Sequence, residues 1–123
     1  MIQPKEIIKR WVELFNQYDA GALANLYHEE CTIHQTPVGF IHGKENIRLM
    51  FQHEFAQFEM VCIAENIFQD GNTCVLEWKD PKGLRGCSLF WVENNLITYQ
   101  RGYWDNQSFM NQQENAQSLP HIE

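Results

Sequence analysis

The chain lacks any apolar run approaching the ~18 residues that cross a bilayer, so no membrane-spanning segment is expected. Its first residues, Met1 to Lys9, lack the basic-then-apolar order of a secretory leader, and a cytoplasmic location is expected. Positive charge is scarce. Nine Lys and Arg stand against sixteen Asp and Glu, a net charge of −7, and such a surface repels phosphate backbones, so nucleic acid is not expected as a partner. The four cysteines, Cys31, Cys62, Cys74 and Cys87, form no CxxC pair and read as small buried hydrophobes of a reducing compartment. The five histidines, His28, His34, His42, His53 and His121, show no HExxH-like spacing, so neither a metal site nor a cofactor is expected. No internal repeat is visible.

What is present suits one folded domain. The 123 residues are 44% hydrophobic and 20% charged, close to the globular norm. A chain of this size buries about two-thirds of its unfolded surface, enough for a core without staples.

Helices come first. Pro4 opens a helix whose apolar face carries Ile7, Ile8, Trp11, Val12 and Phe15 and which ends near Tyr18. Asp19 reads as the N-cap of a short helix burying Leu23, Leu26 and Tyr27. Cys31 to Gln35 alternates like a strand, stopped by Pro37 and Gly39. Gly43 opens a third helix with Ile47, Met50, Phe51, Phe55 and Phe58 on one face. From Glu59 the period changes to two: strands are predicted over 60–69, 73–79, 84–92 and 96–104, with turns at Asp70-Gly71, Asp80-Gly83 and Asn94-Asn95. The polar sequence from Asn106 predicts little buried structure, with a domain over 1–110 and a polar tail over 111–123. The pattern is α+β: a curved, mostly antiparallel mixed sheet wrapped around three N-terminal helices, with any site in the cavity between them.

The series Trp11…Asn16…Asp19…Leu26-Tyr27…Thr32-Ile33…Pro37…Gly43…Asp70-Gly71…Trp78…Gly86…Tyr103-Trp104-Asp105 resembles the nuclear-transport-factor-2-like superfamily. Within it the chain is most similar to the SnoaL-like branch of polyketide cyclases and ketosteroid isomerase relatives, and above all to bacterial members of uncharacterised function. The resemblance covers about residues 5 to 110 and implies a cone-shaped α+β barrel that commonly pairs sheet to sheet. It implies no single activity, because this scaffold carries enzymes and non-catalytic binders alike. The positions that resemble the isomerase machinery are altered: Trp11 stands for the oxyanion tyrosine, Gln35 or Thr36 for the proton-shuttling carboxylate, and Cys87 for the protonated oxyanion acid. Steroid isomerisation is therefore not expected. Asp105 is the one loose counterpart of the cyclase aspartate, and the Asp-Arg-Asp cluster of the epoxide-hydrolase branch does not assemble.

Strand parity places Ile33 and Gln35 on one face and His34 on the other. The family pattern turns the sets containing Trp78, Cys87, Trp91 and Trp104 inward, so that with Trp11 all four tryptophans converge on one interior. The expected ligand-binding set is Trp11, Gln35, Trp78, Cys87, Trp91, Gln100 and Trp104, and the catalytic candidates are His34, Cys87 and Asp105. Each also has a plainer role. Gln35 equally satisfies backbone groups where its strand breaks. Cys87 has no cationic neighbour and reads as an inert thiol, and His34 as a surface or interface residue. Arg101 and Asp105 read as an ion pair, with Glu77 pairing to Arg85 or Arg101. The outer face, with Val75, Phe90, Tyr99 and Tyr103, predicts a homodimer.

Three functions follow. The first is a non-catalytic binder of a small apolar, oxygenated molecule. The second is an isomerase-, cyclase- or dehydratase-type enzyme using acid–base chemistry. The third is a dimeric interaction domain with its interior filled.

Overall fold

The computed structural model describes residues 2–118, in the order α1 (Pro4–Asn16), α2 (Ala20–Ala24), β1 (Tyr27–Gln35), β2 (Gly39–His42), α3 (Lys44–Gln57), β3 (Ile63–Asp70), β4 (Thr73–Lys79), β5 (Arg85–Glu93), β6 (Leu96–Trp104) and α4 (Asn106–Ser118). Local chemistry explains the boundaries. Pro4 occupies the first turn of α1, where an N–H has no helical partner. Asp19 caps α2 by accepting from the Ala22 N–H at 3.0 Å. Asn94 and Asn95 both take positive φ, as a two-residue hairpin between β5 and β6 requires.

The six strands form one curved, open sheet in the order β2-β1-β6-β5-β4-β3. All pairs are antiparallel except β1 with β6. The helices lie in its concavity. The buried face of α1 (Ile7, Ile8, Trp11, Leu14, Phe15) meets Ile33, Leu76, Phe90 and Ile97 of the sheet to form the core. Trp11 sets its centre, stacked on Phe15 at 5.0 Å and edge-on to Phe90 at 5.5 Å. Aromatic contacts of this kind add about 0.5–1.5 kcal/mol each beyond area burial.

Four readings of the sequence differ from the structure. Tyr27 begins β1 rather than ending a helix, and β2 exists where Gly39 was expected only to stop a strand. The reason is pairing: β2 folds back on β1 with His34 opposite Phe40 and Gln35 opposite Gly39, too short a segment to show its own periodicity. The sequence after Asp105 forms α4, capped by Asp105, whose carboxylate accepts from the Gln107 N–H at 3.2 Å and the Ser108 hydroxyl at 2.5 Å. Phe109 anchors it against Phe58, with ring centroids 5.3 Å apart. Residues 119–123 of the expected tail, His121 among them, lie outside the described residues.

The fourth difference is the parity of β5. Leu76 pairs with Ser88, Cys74 with Phe90 and Trp78 with Gly86, and these in turn face Gly102, Gln100 and Trp104. Gly86, Ser88, Phe90 and Val92 therefore point inward, and Cys87, Leu89 and Trp91 outward. Phe90, expected outside, is fully buried.

Candidate functional site

Side chains of α1 fill one end of the concavity. At the other end the sheet, the second half of α3, the segment 58–62 and α4 enclose a cavity of about 410 Å³. Its floor is set by glycine. A Cβ on Gly86 would lie 2.4 Å from Trp78 Cζ2 and 2.5 Å from the Tyr103 carbonyl oxygen, so the Trp78 indole occupies the space a side chain would need. Beside it, Trp104 packs over Gly102, where a Cβ would lie 3.3 Å from Cζ3. Both indoles are half-buried and line the cavity.

The rim is pinned from α1. The Asn16 side chain donates to the Cys62 carbonyl at 2.9 Å and accepts from the Cys62 N–H at 2.8 Å. The Tyr18 hydroxyl accepts from the Met60 N–H at 2.5 Å. Segment 58–62 thus has a fixed course although it belongs to no strand.

Polar groups enter from three elements. The Trp11 indole donates to the Tyr27 hydroxyl at 2.8 Å, and that hydroxyl donates onward to Gln100 Oε1. Burial raises the Tyr27 phenol well above its usual range, with the Trp11 hydrogen bond opposing, so it remains a neutral donor. The amide nitrogen of Gln100 is then left to face the cavity, which Gln100 lines. Gln35 also lines it, its amide 3.4 Å from Met50 Sδ. Next to Gln35 stands Glu54, on the α3 face that carries Ile47, Met50, Phe51 and Phe58. Burial raises the Glu54 carboxyl above 4.5, and its bond with Gln35 partly restrains the rise. A carboxyl whose pKa is raised by burial in an apolar cavity is a candidate proton donor or acceptor. Asp80, Ser88, Glu59, Asn106 and Gln113 add further polar groups to the lining.

Trp11, Gln35, Trp78, Gln100 and Trp104 therefore meet around one space. Cys87 and Trp91 do not. Trp91 lies on the outer face, 5.2 Å from Tyr99 and beneath the Arg101 guanidinium at 5.4 Å. Cys87 is held up in pKa by burial and by Glu77 opposite it, which disfavours a thiolate. His34 is also outside, stacked on Phe40 at 4.0 Å. Asp105 caps α4 instead of pairing with Arg101, and Glu77 accepts from Asn66 at 2.9 Å rather than from an arginine. The parity assigned to β5 from sequence was one residue out, which moved Cys87 and Trp91 together.

Glu54 was missed, yet it had a legible signal. It sits four residues after Met50 and four before Phe58, an acid on an otherwise apolar helical stripe. Asp80 was read only as a turn residue; its Oδ1 does accept from the Lys82 and Leu84 N–H groups, both at 2.9 Å. Among the described residues no three His, Cys, Asp or Glu side chains gather as metal ligands, and no helix is long and apolar enough to cross a membrane.

Solved structures share this architecture. An NTF2-like protein of unknown function from Mesorhizobium loti is 26% identical, with a TM-score of 0.71 over 84% of this chain and 91% of that one. A protein of ketosteroid-isomerase-like fold from Catenulispora acidiphila, in complex with trimethylamine, is 18% identical with a TM-score of 0.81, covering 92% and 95%. A proposed polyketide cyclase from Pseudomonas putida is 14% identical with a TM-score of 0.81, covering 91% and 98%. No curated protein matches significantly. The SnoaL-like domain pattern spans residues 8–100, and over that length, from the buried face of α1 to the Gln100 that faces the cavity, the chain belongs to the SnoaL-like domain family.

Proposed function

We propose that the domain binds one small apolar, oxygenated molecule in this cavity, with a ring of the ligand against Trp104 and the Gln100 or Gln35 amide on its oxygen. The observation that carries the reading is the cavity itself. Its volume of about 410 Å³ lies within the ordinary range for small-molecule sites, and it is aromatic-walled with few polar points. A fold neighbour in complex with trimethylamine supports a small occupant. A panel of planar hydrophobic compounds such as 2-naphthol should change the tryptophan emission saturably, and Trp104→Ala should weaken that response about tenfold. No saturable change from any compound would overturn the reading in favour of an interaction domain.

A second reading, an acid–base enzyme, draws on Glu54. In that case Glu54→Gln would abolish turnover of a bound substrate while leaving its binding in place, since the amide keeps the shape but cannot carry a proton. Gln35 and Thr36, the positions that resemble the isomerase base, cannot take a proton, so proton transfer in this second reading rests on Glu54 alone.

The outer face supports a homodimer. Phe40 and Phe68 are 68% and 56% exposed, and with Tyr103, Leu89 and the Trp91–Tyr99 pair they spread apolar surface across the sheet. A second copy pairing sheet to sheet would cover it. Light scattering should give twice the monomer mass at micromolar concentration; a monomer mass there would refute the pairing. Four free thiols suit a cytoplasmic setting.

A further inference from the structure

We propose that the molecule taken into the cavity carries a positively charged nitrogen, a tertiary or quaternary ammonium on a small apolar body, seated against Trp78 and Trp104 with Glu54 as its counter-ion. This rests on the cavity being a ligand site and names the chemical class that fits it.

The charges of the lining have one sign. Glu54 lies on the α3 wall, Asp80 at the end of β4 and Glu59 at the rim, and among the described lining residues there is no Lys, Arg or His. Of the three bases of the β4–β5 hairpin, Lys79 and Arg85 pair with Glu65, at 3.9 and 3.1 Å, and Lys82 lines a separate surface depression with Asp105 and Ser108 rather than this cavity. An anionic occupant would meet three carboxylates and no donor of positive charge. A neutral apolar occupant would push Glu54 further toward its uncharged form and draw no attraction from the acids. Only a cation is attracted on both counts.

The aromatic walls add a second, independent preference. Indole faces carry negative quadrupole charge and are the best aromatic partners for alkylammonium groups. Trp78 and Trp104 pack over Gly86 and Gly102, and both rings line the cavity. The Trp11 indole N–H is taken up by Tyr27, and burial favours the uncharged form of Glu54 in the unliganded protein; an ammonium beside it would favour the carboxylate. The chain's net charge of −7 draws cations toward any opening. The amides of Gln35 and Gln100 can still orient a hydroxyl, which makes an amino alcohol the simplest probe.

Choline and 3,3-dimethylbutan-1-ol have nearly the same shape and differ by a nitrogen cation in place of a carbon. Calorimetric titration of the full chain should find choline at least about tenfold tighter than the alcohol. Glu54→Gln should weaken choline about tenfold and leave the alcohol unchanged. Trp104→Leu should weaken choline more than the alcohol, and Trp104→Phe should restore part of the difference if the loss is electrostatic rather than a folding defect. Equal binding of the two probes, or tighter binding of the alcohol, overturns the inference and leaves the cavity as a neutral-ligand site. Failure of both probes also overturns it. In that event, saturable binding of 2-naphthol would keep the wider reading, and its absence would remove that as well.

Discussion

The inner and outer faces of the sheet both carry tryptophan, and they surround it with different company. Inside, Trp78 and Trp104 lie beside an open space with Glu54, Asp80 and two glutamine amides. Outside, Trp91 lies against Tyr99 and beneath Arg101, while His34 stacks on Phe40. Aromatic content alone therefore does not distinguish a ligand site from a partner surface. What distinguishes them is the sign of the neighbouring charge and whether glycine across the strand leaves room. The inner face has acids and a floor of Gly86 and Gly102; the outer face has a base that covers its own rings.

The largest expected effect comes from filling that floor. Gly86→Val places a branched side chain where Trp78 and the Tyr103 carbonyl already lie, within 2.5 Å of the new Cβ. Neither β4 nor the backbone of β6 can yield cheaply, so a loss of about 3 kcal/mol or more in urea unfolding is expected. Gly102→Ala meets Trp104 at 3.3 Å, a contact the ring can relieve, and should cost about 1 kcal/mol or less. If the two cost the same, the different roles assigned to the two glycines fail.

Tyr27→Phe ranks next. It removes the hydroxyl that joins Trp11 to Gln100 and leaves a buried donor and a buried acceptor without partners. A loss of about 1–3 kcal/mol is expected, with Gln100 less well oriented and ligand response weakened in step. An unchanged denaturation midpoint would show that water replaces the hydroxyl.

The smallest effect concerns pH. Burial raises the folded pKa of Glu54 above its unfolded value near 4.5. A carboxyl shifted this way gives its full stabilisation below the unfolded pKa and loses it as pH rises through the folded pKa, because folding then desolvates a charge. Glu54→Gln should therefore gain stability relative to the parent as pH rises above 4.5, and the two should converge in acid. Parallel stability curves from pH 4 to 8 would mean that Glu54 is as well solvated folded as unfolded, on the order of zero linkage.

Much of the fold could be read from local chemistry. The strands 73–79 and 96–104 appear where alternation put them, because turn residues bound them on both sides: Asn94 and Asn95 force the hairpin, and Asp80 builds its own turn. Parity survived where a run was anchored by a clear inward residue, as with Ile33 and Gln35. It failed on β5, where residues of similar hydrophobicity alternate (Cys87, Ser88, Leu89, Phe90, Trp91) and neither parity looks polar. Only pairing with Leu76 and Gln100 decides it, and that is a long-range fact. The helix after Asp105 goes unread for a related reason. A polar helix with one anchoring aromatic, Phe109 on Phe58, has too little amphipathicity to declare itself. The acid on the α3 stripe was legible in principle; its meaning emerged only when Gln35 and the empty space beside it were in place.

The inner and outer tryptophans can be separated in one spectrum. The four indole N–H resonances of ¹⁵N-labelled protein, each assigned by a single Trp→Phe variant, are followed during titration with the panel compound that quenches emission most strongly. Trp78 and Trp104 should shift saturably with one dissociation constant, while Trp91 stays in place on adding ligand and moves on dilution as the sheet faces separate. A spectrum in which Trp91 responds to ligand more than Trp78 and Trp104, or in which no indole responds, would contradict the assignment of the inner face to a small molecule and the outer face to a second copy.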